Sequence, residues 1–379
     1  MIHVQHLLGV GHLQRSLQLA AALARQQFQV ELVSGGMPQA IIVPDGVRLR
    51  QLPPLYSADS SFDRLLDAES NEIDDAWRER RKQQLLDLFA SFAPQVLITE
   101  TFPFGRRMLR FELLPLLQAA HDSSSCVQVI ASIRDILQPK SKPGRNREIC
   151  ELIEQYYDHV LVHGDESIAR LDDSFELAQR IESRLYYSGY ICASRGHPAT
   201  ADEGDGEVLV SAGGSATGLR ILQTAITAKP LSTLQNLRWR LLVSPAVSTA
   251  SFEELKRLAG PGICVERNRP DFSELVKRAR LSISQAGYNT ITDILNSDTA
   301  SVVIPFAEAD EIEQTLRARR LHDRGRLVAL AQQDLSPDTL AQAMATADEG
   351  HSPLAANLDG ARNSALIVER WLATAEASR

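Results

Sequence analysis

Short apolar runs alternate along this chain with longer stretches in which apolar residues recur at spacings of three and four. The short runs predict strands buried on both faces, and the periodic stretches predict amphipathic helices. Strand and helix in strict alternation predict an α/β protein with parallel sheets. In the first half the pattern predicts strands over 2–8, 29–34, 95–99, 127–132 and 159–163, with helices over 14–27, 106–120 and 147–157. In the first of these helices Leu17, Ala20, Ala21 and Ala24 form one apolar face.

The alternation lapses over 192–206, CASRGHPATADEGDG, where small and acidic residues show no apolar period. That stretch reads as a linker. The alternation then resumes, with strands predicted over 207–211, 238–243, 281–284 and 301–304 and helices over 217–228, 271–279, 289–296 and 310–323. A last helix over 361–374 carries Leu366, Ile367 and Trp371 on one face suited to docking back on the first domain. The predicted organisation is a first domain over 1–191, a linker over 192–206, a second domain over 207–360 and a terminal helical segment over 361–379. Both domains read as doubly wound and Rossmann-like, and two such domains imply a ligand site in a cleft that they face. In open α/β sheets, ligands bind beyond the carboxyl ends of the strands.

Composition narrows the function classes. The length of 379 residues suits two domains, and 44% hydrophobic residues suffice for a core in each. A net charge of −8 excludes an extended nucleic-acid footprint, which needs a basic surface. Cys126, Cys150, Cys192 and Cys264 are scattered and form no C-x-x-C pair, so neither a disulfide framework nor a zinc site is expected, and a reducing cytoplasm is. No run of about 18 apolar residues predicts a membrane span. The N-terminal residues lack the charged-then-apolar pattern of a signal peptide. The stretch RMLRFELLPLLQAA, apolar with basic residues at its start, leaves peripheral membrane contact open, although a core helix is the commoner meaning of such a stripe.

The candidate chemistry lies on loops that follow predicted strands. In HLLGVGHLQRS, Gly9 and Gly11 permit a tight turn into a helix, and His12 stands at that turn. A neutral imidazole there can take a proton from a hydroxyl. His3 and His6, in or beside the strand, read as structural. In EVLVSAGGSATGLR, Gly213, Gly214, Ser215 and Gly218 repeat the arrangement in the second domain. Backbone N–H groups, a hydroxyl and a helix dipole suit a phosphate there, although the loop is neither a Walker A nor a full G-x-G-x-x-G. In LSISQAGYNTITDIL, Gly287 opens a helix that carries Thr290 and Asp293, and a carboxylate at that place can accept ribose hydroxyls. The bland readings are a plain strand-to-helix turn for each loop and a helix-dipole complement for Asp293. Glu313 and Gln314 open the next helix, while Glu308, Asp310 and Glu311 read as a solvated face. Glu100 follows a strand and can orient His12, or else serve as a cap or surface carboxylate. Arg134, on the loop after another strand beside Asp135, can meet a phosphate or an acidic acceptor. Asp165, after His163, reads as a helix start.

Together these residues resemble the MurG-like family 28 of the GT-B glycosyltransferases. The resemblance covers residues 9–24, 208–222 and 281–318. Gly213–Ser215 is similar to that family's phosphate loop, and AGYNTITD to its S-G-x-x-T-x-x-E ribose segment, with Asp293 where the family has glutamate. Glu313–Gln314 stands near the family's donor-sugar Gln-Gln pair, with Gln314 identical. Gly11–His12 is similar to the family's N-terminal glycine-histidine loop. The form G-x-G-H-x-x-R is also similar to the PseG-type UDP-sugar hydrolases, built on the same fold, whose histidine activates water. The resemblance implies a nucleotide-sugar donor, UDP-linked, on the second domain, an acceptor on the first, inversion, no cofactor and no metal. The acceptor class, whether glycan, lipid or small molecule, stays open. A hydrolase and a non-catalytic nucleotide-sugar binder are the competing expectations.

Overall fold

The computed structural model describes residues 1–7, 10–57, 64–139, 143–192, 203–213, 216–307 and 311–377. The chain forms two compact units, residues 1–191 with 359–379, and residues 192–358.

The first unit begins with β1 (Ile2–Val4), α1 (Gly11–Arg25), β2 (Val30–Ser34) and β3 (Val47–Gln51). A short antiparallel pair, β4 (Tyr56–Ser57) and β5 (Leu65–Leu66), precedes α2 (Asp75–Phe92). Then come β6 (Val96–Glu100), α3 (Arg110–His121), β7 (Gln128–Arg134), α4 (Arg145–Tyr156), β8 (His159–His163) and β9 (Leu185–Tyr187). Seven strands form one parallel sheet in the order β3-β2-β1-β6-β7-β8-β9. All residues of β2 and β6 are buried, Glu31 and Glu100 included, so both strands are covered on their two faces. The strand order reverses between β1 and β6, so the crevice for a ligand opens at the carboxyl ends of those two strands.

Helix α2 is absent from the expected elements, and its composition explains why. Its buried positions are Arg81, Leu85 and Phe89, a stripe four residues apart that includes an arginine. The Arg81 guanidinium is fully buried yet satisfied: it donates to Glu112 at 2.7 and 2.9 Å, to Gln5 Oε1 at 2.7 Å and to the Gly35 carbonyl at 2.9 Å. Asp74 caps the helix by accepting from Trp77 N–H at 2.7 Å. The apolar stripe of α3 lies in the core, with Leu113, Leu116 and Leu117 buried, so it is not available to a membrane. Among the described residues no helix is long and apolar enough to cross one.

Three expectations shift. β1 ends at Val4, because Gln5 turns inward to donate to the Leu55 carbonyl at 2.8 Å. β7 runs on to Arg134, which therefore closes a strand. Asp165 caps a turn: its carboxylate accepts from Ser167 N–H at 2.9 Å and no helix follows.

The second unit comprises β10 (Val208–Ala212), α5 (Ala216–Ala228), β11 (Trp239–Val243), α6 (Thr249–Leu258), β12 (Ile263–Arg267) and α7 (Phe272–Arg278). It continues with β13 (Leu281–Ser284), α8 (Tyr288–Leu295), β14 (Ala300–Val303), α9 (Glu313–His322), β15 (Val328–Ala329) and α10 (Pro337–Asp348). Six parallel strands take the order β12-β11-β10-β13-β14-β15, reversing between β10 and β13. The last helix, α11 (Gly360–Ala377), belongs to the first unit and packs on α1. Trp371 stacks on His159 there, with ring centroids 3.7 Å apart.

Candidate active site

At the switch point of the first unit, α1 starts without a side-chain cap, and His12 lies in its first turn. β6 lies beside β1 and β7 beside β6, so the last residues of those strands converge on that turn. His12 Nδ1–H donates to Glu100 Oε1 at 2.8 Å. Arg15, one turn along α1, pairs with the same carboxylate oxygen. Arg134 Nη2 donates to His12 Nε2 at 3.2 Å. Arg106, in a left-handed backbone conformation with φ 59°, donates through Nε to the Gln5 carbonyl at 2.9 Å. His12 keeps 20% of its side-chain surface exposed, while Glu100 keeps 1%. The imidazole and the half-buried guanidinium groups of Arg134 and Arg106 are therefore the parts of this cluster that a substrate can reach.

The electrostatics follow from burial among cations. Burial, with Arg134 and Arg106 close by, outweighs the pull of Glu100 and brings His12 down to about 3. Burial opposes ionisation of Glu100, but His12, Arg15 and Arg106 overcome it and hold the carboxyl well below its usual range. The resting state is a neutral imidazole protonated at Nδ1, fixed in that tautomer by Glu100, with the Nε2 lone pair facing Arg134. The imidazole is neutral and weakly basic while it lies buried with Arg134 at Nε2. Deeper in the sheet, Ser132 and Ser188 hold fully buried His163 at 2.7 and 3.0 Å through its two ring nitrogens, a link between strands with no opening to a ligand.

At the switch point of the second unit, Gly213 follows β10, while Gly214 and Ser215 lie outside the described residues. Gly218, in the first turn of α5, makes a close approach possible, because a Cβ there would lie 2.0 Å from the Gly213 carbonyl oxygen. Gln285, the first residue after β13, accepts from Gly213 N–H through Oε1 at 2.8 Å. Gln314, at the start of α9, accepts from Ala286 N–H and from Phe306 N–H, each at 3.1 Å. A cavity of about 320 Å³ opens here, lined by Ser211, Ala212, Gly213, Asn268, Arg269, Phe272, Gln285, Gly287, Thr290 and Gln314. Arg269 is held by Asp271 at 2.9 and 2.7 Å and by Glu203 at 2.7 Å.

Of the residues singled out in the sequence, Gly213, Gly287, Thr290 and Gln314 line this one cavity. Glu313 pairs with buried Arg317 at 3.0 Å, and that guanidinium lies 5.5 Å from the Tyr288 ring centroid. Asp293 is buried behind Thr290, bonded to Ser273 and near Lys277; burial pushes its carboxyl up to about 6. Glu308 and Asp310 lie outside the described residues, and Glu311 accepts from Glu313 N–H at 3.0 Å. Sequence reasoning missed Arg15, Gln285 and the segment Asn268–Phe272. Arg15 was legible three residues after His12 on the same helix face. Gln285 stood just after a predicted strand.

Residues 208–369 match the model of the glycosyltransferase family 28 C-terminal domain. Among curated proteins, the chain is similar to the UDP-N-acetylglucosamine–N-acetylmuramyl-(pentapeptide) pyrophosphoryl-undecaprenol N-acetylglucosamine transferase of Syntrophotalea carbinolica, 29% identical over 143 residues, 37% of this chain and 39% of that one. It is also similar to an uncharacterized glycosyltransferase of Methanopyrus kandleri, 29% identical over 164 residues, 42% of this chain and 44% of that one. The chain spans less than half the length of these relatives. Solved structures match it nearly end to end. The glycotransferase of kitacinnamycin superposes with a TM-score of 0.65 at 17% identity, covering 97% of this chain and 98% of that one. MurG of Acinetobacter baumannii superposes with 0.61 at 14% identity, covering 97% and 98%. The spinosyn rhamnosyltransferase SpnG, solved with thymidine diphosphate, superposes with 0.62 at 16% identity, covering 97% and 95%. At these identities the likeness is one of fold, and that fold is GT-B.

Proposed function

We propose that this chain, whose second unit carries a glycosyltransferase family 28 C-terminal domain, transfers a sugar from a UDP-linked donor to an acceptor hydroxyl with inversion. The observation that carries the reading is the pair of switch points: an oriented histidine in one unit, and a donor-lined cavity beside a glycine loop in the other. The donor binds on the second unit, with its ribose toward Thr290 and Asp293 and its sugar toward Glu313 and Gln314. The leaving diphosphate gathers charge near Gly213–Ser215 and the N-terminal end of α5, where partial positive charge stabilises it.

His12 is the general base. The acceptor hydroxyl loses its proton to Nε2 as its oxygen bonds to the anomeric carbon, and the bond from that carbon to the diphosphate oxygen breaks. Glu100 stabilises the imidazolium through Nδ1–H. Arg134 has to yield Nε2 for this to happen, and an anionic group on the acceptor gives its guanidinium a new partner. Its withdrawal also removes one of the charges that, after burial, depress His12. The reading calls for no divalent metal, and acceptors on a membrane surface fit it as well as small ones.

The test is a panel of nucleotide sugars incubated with the protein in excess EDTA, with and without cell extract. The expected result is nucleotide release that depends on extract. Release without any acceptor would make the protein a hydrolase, the chemistry that the G-x-G-H-x-x-R form of the first loop shares. Release that requires added magnesium or manganese would overturn the metal-free mechanism. Binding without release under any condition would leave a nucleotide-sugar sensor.

A further inference from the structure

We propose that Arg134 decides between transfer and hydrolysis: by donating to His12 Nε2 it keeps the base from activating water until an acceptor draws the guanidinium away. The proposal rests on the nucleotide-sugar reading above. A neutral imidazole has one N–H and one lone pair. Glu100 takes the N–H at Nδ1, 2.8 Å away, so the lone pair lies at Nε2. Arg134 Nη2 donates to that lone pair at 3.2 Å. A lone pair held in this way cannot accept a proton from a second molecule.

Burial alone does not keep water from the ring, because His12 keeps 20% of its side-chain surface exposed. Nor does another cation stand in for Arg134. Arg15 is paired with Glu100, and Arg106 is anchored through Nε to the Gln5 carbonyl at 2.9 Å. Arg134 is thus the group that determines whether Nε2 is open.

The contact is one that can yield. The backbone of Arg134 is fixed in the sheet, where it closes β7 in register with His163 of β8. The ring is fixed by Glu100. Opening Nε2 therefore takes a turn of the arginine side chain, with no movement of sheet or ring. At 3.2 Å the bond lies at the long end of the usual range, and imidazole offers the guanidinium a single lone pair. A carboxylate or phosphate offers it a charged partner with room for two parallel bonds. Glu100, the carboxylate beside the ring, already holds His12 and Arg15, and water carries no charge to compete. The acceptor that opens the base is therefore one that brings its own anionic group. Without Arg134 the step becomes hydrolysis. The oxygen of a water bonds to the anomeric carbon and its proton passes to Nε2. The bond from that carbon to the diphosphate oxygen breaks, and the electron pair leaves with UDP.

The test is release of UDP with no acceptor present. UDP-glucose, UDP-galactose and UDP-N-acetylglucosamine are first titrated calorimetrically into the wild type, and those that bind are used as donors. Arg134→Met, of similar length but without donors, is expected to release UDP at least about tenfold faster than the wild type, part of the contribution of a positioned base. His12→Ala combined with Arg134→Met is expected to return release to the wild-type rate. A gain of activity cannot come from a misfolded site, and its loss with His12 ties it to that base. Arg134→Lys, which keeps the charge, is expected to fall between the wild type and Arg134→Met, and it decides the matter should the methionine variant not fold. Release at the wild-type rate in the folded variants would overturn the proposal. A gain that survives His12→Ala would overturn it too, by making Arg134 a plug in the site with no link to the base. A wild type that binds none of the donors would overturn the nucleotide-sugar reading itself. A wild type that already hydrolyses a donor as fast as Arg134→Met would make the protein a hydrolase without a guard.

Discussion

In the first unit a histidine after β1 meets a glutamate at the end of β6; in the second a glycine after β10 meets a glutamine after β13. The two links have the same topology, and each is an N–H donated to a side-chain Oε1 at 2.8 Å across the point where strand order reverses. Their electrostatics are opposed. The first crevice buries one carboxylate among Arg15, Arg106 and Arg134; burial first, then Arg134 and Arg106, push His12 down, while His12, Arg15 and Arg106 hold Glu100 ionised. The second presents amides, a hydroxyl and an arginine already paired. The lesson is that the fold fixes where chemistry can occur, and the residues at the switch point decide which kind. Fixed charges in a dry place are suited to moving a proton, while oriented neutral donors are suited to holding an anion and letting it go.

The widest separation between the crevices should come from His12→Ala. Turnover is expected to fall about 10²–10⁴-fold, the usual contribution of a positioned general base. Nucleotide affinity should be unchanged, because the donor is proposed to bind on the other unit. Kinetics combined with calorimetry with UDP checks both. Joint loss of binding and turnover would erase the division of labour between the units.

Next in size is Glu100→Gln, which keeps an acceptor for His12 Nδ1–H but removes the charge. Turnover is expected to fall roughly 10–100-fold, as for other groups that orient a catalytic side chain. Arg15 would also lose its buried counter-ion, and breaking such a pair costs about 3–5 kcal/mol, less where a dipole replaces the charge. Denaturant unfolding alongside kinetics separates the effects. A variant less stable but equally fast would make Glu100 a structural anchor for Arg15 only.

How much of this was legible in the chain depends on what each residue's meaning depends on. β8 and β13 stood out over the residues they occupy, β8 for the apolar residues between its two histidines and β13 for the alternation of Leu281 and Ile283 with serines. β3, VRLRQ, was missed because it is a partly exposed edge strand whose apolar run is broken by arginines. α2 was missed because Arg81 holds a core position that only its partners Glu112 and Gln5 make tolerable, and those lie far away in sequence. In the site, His12, Glu100 and Arg134 were each legible as residues at strand ends. The pairing of Glu100 with His12 was among the expectations; the convergence of Arg134 on the same ring was not, because it depends on the register of β1, β6 and β7, which is a tertiary fact. Gln285 carried no mark beyond its place just after a predicted strand. A glutamine gains meaning only when one end of its amide is known to be occupied.

The smallest expected effect concerns Asp293, the carboxylate proposed to hold the ribose in the second crevice. Burial raises it to about 6 from an ordinary value near 3.8, with Ser273 and Lys277 opposing. In the free protein a raised carboxyl favours the protonated form, so its contribution to stability is present below about pH 4 and is lost as pH rises through about 6. A ribose hydroxyl that donates to Asp293 stabilises the ionised form and so works in the opposite sense. UDP affinity should therefore rise as pH increases from 5 to 7, by about tenfold, the difference between a charge-assisted hydrogen bond and a neutral one. The nucleotide's own phosphate titrates in the same range, and Asp293→Asn provides the reference that cancels it. Calorimetric titration of both proteins across that range is the measurement. If the ratio of their affinities does not change with pH, Asp293 only anchors Ser273 of α7, and the ribose is held without it. A ratio that climbs through pH 6 would bring one ionisable group into an otherwise neutral site, and would mark the ribose as the part of the donor whose grip the protein ties to its own protonation.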